Sequence, residues 1–112
     1  AWKNATLANG WANFEGGYGK LQYRKENKRV YLRGLIRHTS YASTKRIIMT
    51  LPTGYRPSFN LIFNQRTGIS TYKSARLDIT NTGKVMFEDV DNGYTGTNVS
   101  WLSLSGISFS ID

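Results

Sequence analysis

Few side chains among the 112 residues could move a proton, hold a metal or form a covalent intermediate. There is one histidine, His38, and no cysteine. That combination removes thiolate nucleophiles, disulfides, multi-histidine sites and thiolate metal sites together. A serine or threonine nucleophile needs a base beside it. The sole neutral-pH candidate is His38, in His38-Thr39-Ser40, and no Gly-x-Ser-x-Gly elbow accompanies it. His38 therefore reads as a strand-end or loop residue. Glycoside hydrolysis needs two carboxylates flanking one bond. Of the seven acids, Glu88, Asp89 and Asp91 crowd one stretch, which reads as a solvated loop. Asp89-x-Asp91-Asn92-Gly93 alternates oxygen ligands as a calcium loop does, but Gly93 stands fifth rather than sixth and no distal Glu follows. Gly16-Gly17-Tyr18-Gly19 lacks the Lys-Ser/Thr and helix of a phosphate loop and reads as a turn. No catalytic residue, cofactor or metal ligand is assigned.

Binding chemistry is better represented. Fifteen Lys+Arg against seven Asp+Glu give a net charge of +8. Such a charge favours nucleic acid, acidic lipid or an anionic polymer as partner. Lys20, Arg24, Lys25, Lys28, Arg29, Arg33 and Arg37 crowd one predicted hairpin, with Tyr23 and Tyr31 interleaved. Such a face either binds single-stranded nucleic acid by stacking and phosphate contacts or is a solvated strand face or subunit interface. Sugars are recognised by aromatic faces beside planar hydrogen-bonding groups. Three predicted loops have that mixture: Tyr94 with Asp91 and Asn92, Tyr72 with Arg66, and Tyr41 with Lys45. Each also reads as an ordinary polar surface loop.

The elements that must position these residues are strands. No helix-period window carries convincing caps, whereas period-two alternation is widespread. Val30, Leu32, Gly34 and Ile36 alternate with Tyr31, Arg33, Leu35 and Arg37; Ala75, Leu77 and Ile79 with Arg76, Asp78 and Thr80; Ile107, Phe109 and Ile111 with Ser108, Ser110 and Asp112. Glu26-Asn27-Lys28 should join strands Leu21–Lys25 and Arg29–Arg37. Asn81-Thr82-Gly83 should close a second hairpin with Gly83 left-handed. Pro52-Thr53-Gly54 should end the strand Arg46–Leu51, and Asp91-Asn92-Gly93 should interrupt the chain before Tyr94. The expectation is an all-β antiparallel sandwich or barrel-like head of eight to ten short strands, a single domain over residues 1–112. The longest apolar run is Ile47–Met49, which excludes a membrane-spanning helix. With no initiator Met and no signal peptide, the chain reads as a fragment of a longer polypeptide.

Four separated blocks carry a resemblance. They are Ala5-Thr6-Leu7-Ala8-Asn9-Gly10-Trp11; Tyr23-Arg24-Lys25 with Arg29-Val30-Tyr31-Leu32-Arg33-Gly34-Leu35-Ile36; Leu51-Pro52-Thr53-Gly54-Tyr55-Arg56-Pro57; and Trp101-Leu102-Ser103-Leu104-Ser105-Gly106-Ile107-Ser108-Phe109. In this order and spacing the chain resembles the C-terminal head domain of tail-tip receptor-binding proteins of phages infecting Gram-positive bacteria. It departs from them at Arg37-His38-Thr39, where a Gly-rich turn is usual, and Glu88–Asn98 matches no fixed pattern.

The resemblance implies a trimeric β-sandwich head on the virion, at the tail tip or baseplate. The remainder of the tail would be reached through the N-terminal part of the full protein. It implies binding of host cell-wall polysaccharide or glycosylated teichoic acid, without enzymatic activity, nucleic-acid binding or membrane insertion. Trp2 and Leu7 would lie near the trimer contact, and Trp11 and Trp101 would be core or interface residues. A basic β-domain for single-stranded nucleic acid and an ancillary carbohydrate-binding module of a wall hydrolase are the competing readings.

Overall fold

A strand that buries one face and wets the other needs alternating residues, and the chain supplies them repeatedly. A computed structural model describes residues 1–69, 71–90 and 98–111, with side chains throughout except at residues 43, 69, 71–73, 89 and 90. The described residues form eleven strands: β1 (Lys3–Asn4), β2 (Ala12–Asn13), β3 (Gln22–Glu26), β4 (Arg29–Arg33), β5 (Leu35–His38), β6 (Ile47–Thr50), β7 (Leu61–Ile69), β8 (Thr71–Ile79), β9 (Lys84–Val90), β10 (Val99–Ser103) and β11 (Ser108–Ser110). Ser43–Lys45 makes one 3-10 turn. The antiparallel all-β class is as expected. The strand count exceeds eight to ten partly because β1 and β2 are two residues each, too short to carry a period.

Two sheets result. One has the order β1-β3-β4-β11, the other β2-β5-β10-β7-β8-β9-β6. They share one core. Val30, Leu32 and Phe109 enter it from the small sheet; Ile36, Leu77, Ile79, Val85, Phe87 and Leu102 enter it from the large one. Register delivers this packing: Leu77 stands opposite Phe87 and Ile79 opposite Val85. The turns follow their residues. Gly83 has φ 89° between β8 and β9, and Gly54 has φ 94° in a turn closed by Tyr55 N–H donating to Pro52 O at 3.1 Å.

The run Arg29–Arg37 departs from the expectation of one strand. It is two strands, β4 and β5, in different sheets. Gly34 between them has φ +131°, a conformation open to glycine and closed to most side chains. Its bare Cα lies against the Lys20–Leu21 backbone, where an added Cβ would meet the Lys20 carbonyl and come within 2.6 Å of Leu21 Cα. Gly34 N–H donates to Ser105 Oγ at 3.1 Å, and Gly34 O accepts from Leu104 N–H at 2.9 Å. The alternation hides the corner because Leu32 and Ile36 on either side point into the same core.

Tyr41 also departs, and here the sequence reading is corrected. It was expected on an exposed loop as a sugar-stacking ring, yet it is only 8% exposed. Its ring packs against Phe87 at 5.0 Å and Trp11 at 5.8 Å, and Trp11 meets His38 at 5.0 Å. Neighbouring rings hold it inside, so it offers no open face. His38 is likewise structural. Nδ1 accepts the Ser40 N–H at 3.0 Å, which leaves the proton on Nε2 to be donated to Asn9 O at 2.7 Å.

Two substitutions separate backbone strain from collision. Gly16 has φ +63° with nothing near its would-be Cβ. Gly16→Ala should cost about 1 kcal/mol, the left-handed penalty alone. Gly34→Ala should cost at least about 3 kcal/mol or abolish folding, because strain and a backbone clash coincide. Urea unfolding of both variants reads the difference. In the aromatic cluster, Tyr41→Ala should cost about 3 kcal/mol or more. Tyr41→Phe should cost less than Tyr41→Ala, since it keeps the ring and its packing on Phe87 and Trp11.

Candidate functional site

The corner at Gly34 opens a cleft of about 740 Å³ between the two sheets. One wall is the arch of residues 14–19. Leu35 grips both its feet: Phe14 N–H donates to Leu35 O at 2.9 Å, and Leu35 N–H donates to Gly19 O at 3.1 Å. Glu15, Gly16 and Gly17 all have positive φ, so the arch doubles back sharply. Its crown presents Tyr18, 59% exposed, edge-on to Phe14 at 5.5 Å. The Gly16–Gly19 segment is a turn, as its composition implied.

The opposite wall comes from the large sheet. Trp101 on β10 stands opposite Gly68 on β7, and an added Cβ at Gly68 would fall inside the Trp101 indole. Glycine there lets the indole lie flat on the sheet. Arg66, two residues along β7, shares the cleft with Trp101. Arg33 enters from the end of β4. Its Nε donates to Gln22 Oε1 at 3.0 Å, and its guanidinium lies 4.0 Å over the Trp2 ring. Ser103 Oγ accepts the Ser105 N–H at 3.3 Å, and Ser105 Oγ accepts the Gly34 N–H. Each hydroxyl therefore keeps its own proton to donate.

The cleft thus combines aromatic walls, two guanidiniums, an amide and two hydroxyls. Its described lining holds no carboxylate and no imidazole. Such a set suits recognition of a polyhydroxylated, anionic molecule: rings cover apolar sugar faces, hydroxyls and amides pair with sugar hydroxyls, and guanidiniums meet phosphate or carboxylate.

Among the sequence-derived candidates whose side chains are described, Arg66 lines the cleft and Tyr41 and Lys45 do not. Tyr72 pairs by backbone register with Gly68, placing it one strand beyond Trp101; its side chain lies outside the described residues. Asp91, Asn92 and Tyr94 lie outside the described residues, as does the calcium-like stretch from Asp91 to Gly93; the backbone of Asp89 belongs to β9. Lys45 is half-buried and holds its own turn, Nζ donating to Ser40 O at 3.3 Å while its carbonyl accepts the Trp11 indole N–H at 2.9 Å. Trp11 is core as expected, 4% exposed. Phe14, Tyr18, Arg33 and Trp101 were missed as site residues. Their only sequence signal was the glycines around them, Gly16, Gly17, Gly34 and Gly68, which allow close approach.

No protein-family model matches the chain, and no curated protein matches it by sequence. Among solved structures, the receptor binding protein (gp15) of Listeria phage PSA is similar, with a TM-score of 0.71 and 21% identity over 97% of this chain. The chain spans 63% of the length of that structure. The fold expected from the resemblance is therefore the fold found.

Gly68→Ala tests the wall directly. The chain should remain folded, since Gly68 lies in ordinary strand conformation, but the indole must leave its seat. A shift in tryptophan emission with unchanged far-ultraviolet dichroism is the expected readout.

Proposed function

We propose that this chain is the receptor-binding head of a phage tail protein, and that it docks on cell-wall carbohydrate of a Gram-positive host through the cleft at the sheet corner. The observation that carries the reading is the pairing of aromatic walls with Arg33 and Arg66 in one cleft, on a head whose fold is shared with a phage receptor binding protein. A glycosylated teichoic acid fits this chemistry because it offers sugar faces and phosphates together. Tyr72, Asp91, Asn92 and Tyr94 stay candidates for receptor contact.

The head acts by binding, as the lining of the cleft contains no acid/base pair among its described residues. Its place is the virion tail, joined to the rest of the tail by the full protein. A homotrimer is part of the proposal. Three weak sites on one particle would then raise avidity steeply.

Binding of the isolated chain to intact walls, and to walls stripped of sugar substituents, tests the reading. Stripped walls should bind at least tenfold less. Trp101→Ala should cost about 1 kcal/mol or more per site, the scale of one aromatic contact. Equal binding to both walls, unaffected by Trp101→Ala and Arg66→Ala, would sink it. Light scattering should give three times 12.7 kDa.

A further inference from the structure

The outer face of the small sheet carries three arginines, Arg24, Arg29 and Arg33. Residues 20–37 contain seven Lys+Arg and one acid, Glu26. Register sorts them. On the outer face Gln22 stands opposite Arg33, Arg24 opposite Tyr31, and Glu26 opposite Arg29. On β11, Ser108 stands opposite Tyr31 and Ser110 opposite Arg29. Tyr23 falls on the other face and packs against Tyr55 at 5.3 Å. Arg33, Tyr31 and Arg29 therefore form a row at alternate strand positions, about 7 Å apart. The row starts at the cleft, which Arg33 lines, and ends at a second groove of about 390 Å³, which Arg29 lines.

These cations are held in place. Arg33 stacks on Trp2, and Arg24 lies 5.2 Å from the Trp2 ring and 5.4 Å from the Tyr31 ring. Arg29 donates through Nε and Nη2 to Ser108 Oγ at 3.2 and 3.0 Å. Part of each guanidinium edge is engaged as well, Arg24 Nη2 with Glu26 Oε1 at 3.0 Å and Arg33 Nε with Gln22 Oε1 at 3.0 Å, and the N–H groups beyond these contacts are what an anion would meet. Stacking also occupies the rings. Trp2 has two guanidiniums against it and Tyr31 has one, whereas non-specific binders of single-stranded nucleic acid rely on open rings for their bases. The row offers ordered charge without stacking platforms.

From this we infer that the outer face of the small sheet is an extended subsite for the phosphodiester backbone of a linear polyol-phosphate wall polymer. The inference rests on the receptor reading above: the cleft takes the sugar substituent, and the row takes the chain that bears it. Arg29 and Arg33, four residues and so about 13 Å apart along β4, would meet every second phosphate of an extended chain with a short polyol between phosphates.

Titration of the 112-residue chain with three probes tests this. They are an unglycosylated glycerol-phosphate oligomer, a phosphate-free oligosaccharide released from the walls, and oligo-dT. The oligomer should bind with an affinity that falls as salt rises. Arg29→Gln should weaken it several-fold and flatten the slope of log affinity against log salt by about 0.7. Arg24→Gln with Arg29→Gln should lose tenfold or more. Neither variant should alter oligosaccharide binding, and Trp101→Ala should show the converse. Arg29 is exposed, so the single variant remains informative if the double variant unfolds. Oligomer binding indifferent to Arg29→Gln overturns the inference, and so does tighter binding of oligo-dT than of the oligomer. Failure of the cleft reading alone would appear as absent oligosaccharide binding with the Arg29 dependence intact.

Discussion

Everything that distinguishes this head depends on one close approach of backbone to backbone, Gly34 against Lys20 and Leu21. With no side chain in the way, the chain leaves one sheet and enters the other without a connecting loop. Arg33 and Leu35, one residue to either side, belong to different sheets yet line one cleft. The same glycine ties in the segment after β10 through Leu104 and Ser105. Corner, cleft and the closing stretch of the chain are therefore one packing event.

The aromatic residues divide by what lies beside them. Trp11 is inside because Phe87, Tyr41 and His38 surround it and the Lys45 carbonyl satisfies its N–H. Trp101 is outside because β10 turns it to the outer face of the sheet, where Gly68 gives it a flat seat. Trp2 is neither, since it serves two arginines as a stacking surface. Residue type set the affinity of each ring for an apolar neighbour, and the backbone decided which neighbour it met.

How much of this could be read from the sequence depends on the range of the interaction. The alternation from Ala75 to Ile79 and the hairpin through Gly83 were legible, because alternation and turn chemistry are local, whereas Arg66 and Tyr72, expected on a loop, stand on the paired strands β7 and β8. The corner at Gly34 was not legible, because Leu32 and Ile36 keep the same alternation on both sides of it. The cleft was not legible for the same reason: Phe14, Arg33, Arg66 and Trp101 are far apart in the chain and meet only when the sheets pair. Tyr41 misled because a tyrosine amid Thr39, Ser40, Ala42 and Ser43 has the composition of a surface loop, and only tertiary packing against Phe87 draws it inward.

The arch at residues 14–19 is anchored through the peptide groups of its feet, Phe14 and Gly19, to a single residue, Leu35. A Cβ added at Gly16 or Gly17 on its crown would meet nothing within 4 Å. The anchorage is thus indifferent to the side chains between the feet. Mutation can rewrite the crown, or lengthen it, at little cost to the sheets beneath. A lineage could reshape this wall of the cleft by editing one short span, and a designer could graft foreign arches onto the same two hydrogen bonds.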